Sequence, residues 1–132
     1  MKAKVALLGG IVGLALCGCG ANDTNGAIEA AERLYSAFAA KDGAAACEQL
    51  SDATREQLVK DEGKPCEQAV LELKLSGKRA IGEQSYLSDA KVDLDGGDSV
   101  FVEETPDGWR VDAAGCKPVD EQEAPYDCEV ES

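Results

Sequence analysis

The sequence predicts an α+β fold in which N-terminal helices pack on a curved antiparallel sheet. Two observations carry this prediction. Up to Gly77, apolar residues recur every three or four positions, which is the period of an amphipathic helix. Beyond Gly77 they alternate, and turn sequences separate the alternating stretches, as in a meander of strands. A chain of 132 residues is long enough to bury one core and forms one domain.

The charge of the chain argues against several classes of function. It holds 26 acidic and 13 basic residues, a net charge of −13, and no histidine. Nucleic acids and anionic lipid surfaces both need a basic face, so we expect neither as an electrostatic partner. Without histidine, Ser-His and Cys-His catalysis and His-ligated metals are excluded. We expect no metal and no cofactor.

The first twenty residues combine a basic start with an apolar stretch that ends in two cysteines. A basic segment, MKAK, precedes an uncharged stretch at 5–20, which is shorter than the roughly 20 residues of a spanning helix. The stretch ends Leu16-Cys17-Gly18-Cys19, which resembles the lipobox of a bacterial lipoprotein signal peptide. The resemblance implies cleavage before Cys19 and lipidation of its sulfur, which anchors the protein to the extracytoplasmic face of the cell membrane. The alternatives are an uncleaved anchor and a plain secretory signal.

This interpretation divides the chain into three parts. Residues 1–18 are a cleaved signal peptide, and residues 19–26 are the lipidated cysteine with a short polar linker. Residues 27–132 form the folded domain, which ends in an acidic loop.

The remaining cysteines predict two disulfides. Cleavage removes Cys17 and acylation uses Cys19, which leaves four of six cysteines in an oxidising compartment. Their spacings of 19, 50 and 12 residues hold none of the close ligand pairs of a zinc site. Four cysteines allow three pairings, and we favour the one in which each bond stays within a local segment. The expected bonds are Cys47–Cys66 and Cys116–Cys128.

The first predicted helix spans most of TNGAIEAAERLYSAFAAKDG, with Gly43 in the left-handed position after its end. Its apolar positions form one stripe: Ile28, Ala31, Leu34, Tyr35 and Phe38.

Three shorter helices are predicted next. AAACEQL forms the second, and Ser51 or Asp52 caps the third, DATREQLVK. Pro65 begins the fourth at the first helical position, and Gly77 ends it.

The sheet is predicted from alternation. Residues 86–95 read as its first strand, with Tyr86, Ser88, Ala90, Val92 and Leu94 on one face. DGGD at 95–98 predicts a hairpin turn. An EF-hand calcium loop that began at Asp93 would need an oxygen ligand at its fifth position and glycine at its sixth, but Gly97 and Asp98 stand there. SVFVEE and WRVDAAGC supply two more strands, in which Trp109, Val111 and Ala113 alternate, and YDCEV supplies a last one.

The segments LYSAFAAKDGAAACEQLS and DGWRVD carry a family resemblance. The first is similar to the first helix, turn and second helix of the NTF2-like superfamily, and the second is similar to that family's late strand. The resemblance covers residues 27–116 and implies a cone with an internal cavity. The aromatic residues that would line such a cavity, or simply fill it, are Tyr35, Phe38, Tyr86 and Trp109.

The resemblance carries over no catalytic residue. The position of the catalytic tyrosine of the isomerase branch falls on Leu34, not Tyr35, and the dehydratase branch relies on histidine. We therefore expect a non-enzymatic domain that binds a small apolar ligand or an envelope protein. The alternatives are a cavity enzyme of the isomerase or cyclase type and a structural module that forms a homodimer.

Overall fold

A computed structural model describes residues 24–119 and 125–132 of the chain. The predicted signal peptide (1–18) and Cys19 lie outside these ranges, as do most of the predicted linker and residues 120–124 of the acidic loop. Within the described ranges, no helix is long and apolar enough to cross a membrane.

The described residues form four α-helices before the sheet. They are α1 (Thr24–Ala39), α2 (Gly43–Gln49), α3 (Asp52–Glu62) and α4 (Cys66–Ala69), and a 3-10 turn at Val70–Glu72 continues α4. Two of these helices begin with N-cap residues of the kind that short-range sequence patterns favour. Asp42 accepts the Ala45 N–H at 3.1 Å, and Ser51 accepts the Thr54 N–H at 3.2 Å.

Six strands form the sheet in the described part of the chain. They are β1 (Ala80–Tyr86), β2 (Asp89–Leu94), β3 (Ser99–Thr105), β4 (Gly108–Pro118), β5 (Tyr126–Asp127) and β6 (Val130–Glu131). The order is β1-β2-β3-β4-β5, β6 also pairs with β4, and all pairs are antiparallel. The predicted α+β class is confirmed.

The core lies between the helices and one face of the sheet. Each large side chain that is fully enclosed there stabilises the fold by about 1.5–3 kcal/mol. The helical part of the chain, with Leu50 directly after α2, contributes Leu34, Tyr35, Leu50, Leu58 and Val70. The sheet contributes Val92, Leu94, Val100, Val102 and Val111.

Both predicted disulfides are present. Cys47–Cys66 joins α2 to α4, and Cys116–Cys128 joins β4 to the segment between β5 and β6.

The end of α1 differs from the prediction. Lys41, not Gly43, takes the left-handed conformation, with a φ of 57°. Gly43 is instead the first residue of α2, where a Cβ atom would overlap the carbonyl oxygen of Glu67. Glycine is therefore needed at this position for close approach of two backbones rather than for a turn.

The fourth helix is shorter than predicted. Pro65 precedes α4 with an extended ψ of 145°, and the chain becomes extended again at Leu73, with a ψ of 155°, well before Gly77. In the segment that follows, the Ser76 N–H lies 2.7 Å from the buried carboxylate of Asp98, a contact with a distant part of the chain.

The first predicted strand is really two. Residues 86–95 span the end of β1, a turn at Leu87 with a φ of 53°, and β2. Ala90, Val92 and Leu94 face the core as predicted, but Tyr86 is 57% exposed. We did not predict β1 because it is an edge strand with mostly exposed residues, so it lacks apolar alternation.

Two register shifts displace the predicted alternation in β4. Ser99 pairs with Cys116, Phe101 with Ala113 and Val102 with Val111, so β4 has one extra residue in each interval. Val111 lies in the core as expected, and Trp109 is partly buried against the core cluster. Ala114 takes the next core position, not Ala113.

Candidate functional site

A groove of about 490 Å³ lies on the side of the sheet that faces away from the helices. Because Val100 and Val102 point into the core, Phe101 between them points to the opposite face and lines this groove. We call it the outer groove. It is lined by Tyr86, Asp89, Ala90, Phe101, Val102, Asp112, Ala113, Pro125, Tyr126, Cys128, Glu131 and Ser132.

Three aromatic side chains give the outer groove its apolar walls. The rings of Phe101 and Tyr126 meet edge to face, with centroids 5.1 Å apart and an interplanar angle of 75°. The Lys91 ammonium lies 5.8 Å from the centre of the Tyr126 ring and is held 3.2 Å from Asp93. Tyr86 stands on β1 at the groove, largely exposed.

Carboxylates supply the polar part of the groove. Asp112 is firmly placed. Its Oδ1 accepts hydrogen bonds from Ser132 at 2.9 Å and from Ser51 at 3.4 Å, and its main-chain carbonyl accepts the Thr54 hydroxyl at 2.7 Å. Asp89 and Glu131 are exposed at the groove. Neither lysine nor arginine is among the residues that line it.

Glu103 adjoins this carboxylate group. It pairs directly with Asp89 across β2 and β3. The pKa of Glu103 is raised because the carboxyl group is partly buried and because the negative charges of Asp112 and Asp89 lie nearby. The carboxylates therefore repel one another in the folded protein.

A second polar cluster lies inside the core. The Tyr35 hydroxyl donates to Asp98 Oδ2 at 2.8 Å and accepts the Gly115 N–H at 3.0 Å. Asp98 also accepts from the Ser76 N–H and from Lys117 Nζ, both at 2.7 Å. Burial, and then the bond to Asp98, raises the pKa of Tyr35.

The structure does not bring the four predicted cavity residues together. Tyr86 lines the outer groove, whereas Tyr35 is 1% exposed and bonded within the core. Phe38 is half-buried on the last turn of α1, and Trp109 is half-buried against the core cluster.

Sequence reasoning missed Phe101 and Tyr126. The signal for Phe101 was available, because SVFVEE places apolar side chains on both faces of β3, which indicates a second apolar surface. Tyr126 offered no such signal, since its role depends on how residues after Val119 return to the sheet.

No group of three or more Cys, Asp or Glu side chains in residues 24–119 and 125–132 is arranged to hold a metal ion. Comparisons of the chain with protein-family models, with curated proteins and with solved structures find no match. The NTF2-like resemblance therefore stays a prediction, and function has to be argued from the outer groove.

Proposed function

We propose that this protein is a non-enzymatic, lipid-anchored extracytoplasmic domain of NTF2-like type that binds a small ligand with an apolar body in the outer groove. One observation carries the proposal. The groove has a volume of about 490 Å³ and is walled by Tyr86, Phe101 and Tyr126. Small-molecule sites usually occupy about 300–1,000 Å³ and have this mixture of apolar walls and a few polar groups.

Exposed aromatic surface supports a binding role. Tyr86 is 57% exposed, and the edge-to-face pair of Phe101 and Tyr126 presents further apolar area to the groove. A ligand that covers this surface would gain about 25 cal/mol for each Å² of apolar area buried. The gain favours a ligand with a flat or aliphatic body.

The two disulfides support the proposed location. Disulfides persist in oxidising compartments, which agrees with export by the signal sequence at 1–18. Lipidation at Cys19 followed by the short polar linker would hold the groove close to the membrane surface.

The absence of histidine supports binding over catalysis. An isomerase or cyclase needs a base that is free to take a proton from its substrate, and histidine is the commonest such base. The whole chain has no histidine, and Asp112 is held in place through its Oδ1 by Ser51 and Ser132.

The edge strand β1 favours a second candidate, a module that pairs with another copy of itself. One edge of β1 pairs with β2. Ile81 within β1 is 71% exposed, and Leu87 directly after the strand is 95% exposed. Antiparallel pairing of two such edges would continue the sheet across a dimer.

Native mass spectrometry of the protein, extracted gently from its own membrane, tests the proposal. We expect extra mass that stays on the folded domain and is lost on denaturation. Tyr86→Ala and Phe101→Ala should lose it, while Ile81→Ala should keep it, because Ile81 is exposed and apolar but does not line the groove. Thermal unfolding of each variant checks that the fold persists.

Two results would overturn the groove proposal. One is an empty wild-type monomer that also fails to bind added apolar probes. The other is a ligand-free dimer that Ile81→Ala converts to a monomer, which would establish the pairing of β1 edges instead.

A further inference from the structure

We infer that the ligand of the outer groove is an organic cation, in which an ammonium or guanidinium group is attached to an aromatic or aliphatic body. This inference rests on the proposed function and specifies the chemistry of its ligand. It follows from the charges that line the groove, from their mutual repulsion, and from the distance between charged and aromatic parts.

The groove carries negative charge with no lining cation to balance it. Asp89, Asp112 and Glu131 contribute three carboxylates, and neither lysine nor arginine lines the groove. Lys91 is paired with Asp93 and lies over Tyr126. Arg110, which pairs with Glu103 across β3 and β4, donates to the Trp109 carbonyl. Neither cation lines the groove. The net charge of −13 on the whole chain has the same sign as the local field.

The negative charges of the groove also act on Glu103, which lies directly across from Asp89 in the sheet. Partial burial, and then the charges of Asp112 and Asp89, raise the pKa of Glu103. A cation in the groove would relieve the repulsion that these negative charges exert on Glu103. An anionic ligand would increase it, and a neutral ligand would leave it unchanged.

The charged and aromatic parts lie on neighbouring strands. Asp89 on β2, which lines the groove, pairs with Glu103 on β3, and Phe101 precedes Glu103 by two residues. Phe101 is therefore a diagonal neighbour of Asp89 across the two strands, about 7–8 Å away. A ligand with this separation between its charge and its ring would contact both.

Tyr86 adds an aromatic face next to the carboxylates. It pairs with Asp89 at the end of the β1–β2 hairpin and lines the groove. An organic cation gains about 0.5–1 kcal/mol from an aromatic face at an exposed site, in addition to its attraction to carboxylates. An inorganic divalent ion gains nothing from the walls, and the described carboxylates are not grouped as metal ligands.

Three probes with the same naphthalene ring test the charge preference of the full-length protein. They are 1-naphthylmethylamine, a cation at pH 7, the neutral 1-naphthalenemethanol, and the anionic 1-naphthaleneacetate. Ligand-observed NMR titration at low ionic strength should show the amine binding about tenfold tighter than the alcohol. The acetate should bind more weakly than both, and added salt should reduce the advantage of the amine.

Matched charge variants show where the preference comes from. Asp89→Asn with Glu131→Gln removes two exposed groove carboxylates and should reduce the advantage of the amine over the alcohol to about threefold or less. Glu48→Gln with Glu56→Gln removes the same charge from exposed positions on α2 and α3 and should keep the advantage.

The outcomes separate the two proposals. If amine and alcohol bind equally in the groove, the cation inference is wrong and the binding function stands. If none of the probes binds, both proposals fail. If calcium chloride binds tighter than the amine and needs Asp89 and Glu131, the groove is an inorganic cation site and the inference is overturned.

Discussion

Asp98 belongs to a hairpin turn and is also the acceptor for three groups from distant parts of the chain. Its side chain is 0% exposed and binds the Tyr35 hydroxyl, the Ser76 N–H and Lys117 Nζ. A carboxylate enclosed in this way needs such partners, because an unpaired buried charge is strongly destabilising. This one residue therefore joins α1, the segment before β1, and β4.

Tyr35→Phe is expected to destabilise the protein at neutral pH. The change leaves the Gly115 N–H without its acceptor and Asp98 without one donor, which costs about 1–3 kcal/mol. It should also change the pH dependence. The pKa of Tyr35 is raised in the folded state above its unfolded value of about 10, so the folded protein keeps a proton that the unfolded chain loses.

The sign of this difference gives the measurement. Above about pH 10 the wild type should lose about 1.4 kcal/mol of unfolding free energy per pH unit through Tyr35, and Tyr35→Phe should lack that loss. Urea unfolding between neutral and alkaline pH measures both the loss of unfolding free energy at neutral pH and its slope with pH. Tyr86→Phe is the exposed control. Equal slopes for wild type and Tyr35→Phe would contradict the assignment.

Strand β4 organises the molecule at the scale of elements. One of its edges pairs with β3. Its other edge is covered by short pieces in succession, with Ser51 N–H bonded to the Val111 carbonyl at 2.8 Å, β6 at Ala113–Ala114, and β5 at Lys117–Pro118. The chain after β4 therefore closes the edge and at the same time builds one wall of the outer groove.

The two disulfides are expected to act alike on stability and differently on binding. Replacing either pair by alanine should lower the free energy of unfolding by about 3 kcal/mol, because the closed loops of 19 and 12 residues are similar. Only loss of Cys116–Cys128 should weaken binding of the naphthyl probes. Cys128 lines the groove beside Tyr126, whereas Cys47–Cys66 lies among the helices.

Denaturant unfolding and probe titration of the two double variants check this prediction. Each double variant is the matched control for the other. Equal loss of probe binding from both would show that the groove depends on general stability rather than on the attachment of the C-terminal segment.

At the scale of the whole molecule, the lipobox resemblance predicts the chemistry of the N-terminus. Intact mass spectrometry of the mature wild type should show Cys19 as the first residue, carrying acyl chains. Cys19→Ala should lack the acyl mass. Cys17→Ala is the matched control, and its mature mass should equal that of the wild type because cleavage removes position 17.

An unacylated wild type that starts elsewhere would contradict lipidation and leave the plain secretory signal or the uncleaved anchor. The binding proposal would survive that result, because it depends on the outer groove and not on the anchor. Charge would still act over the whole molecule, since the net −13 strengthens attraction of cations at low salt.

Much of the fold could be predicted because it depends on neighbours in sequence. The stripe on α1, the cap at Ser51 and the turn at 95–98 all follow from side chains within a few residues of one another. Cysteine positions in local segments led to the correct pairing of both disulfides.

What local pattern could not predict depends on contacts between distant residues. The exposed strand β1 lacks apolar alternation, and the extra residues in β4 move a core position from Ala113 to Ala114. The candidate site follows the same rule, since Tyr86 alone among the predicted cavity residues lines the groove.

By itself, the sequence determined the α+β class, the order of helices before strands, and the acidic charge that argues against nucleic acid. Only the tertiary structure decided that Asp98 is enclosed and that Phe101 and Tyr126 meet in a groove that carboxylates also line. The physical reason is that periodicity records which side of an element faces the core. The pairing register of the strands and the path by which the chain returns to the sheet decide which distant side chains share the other face.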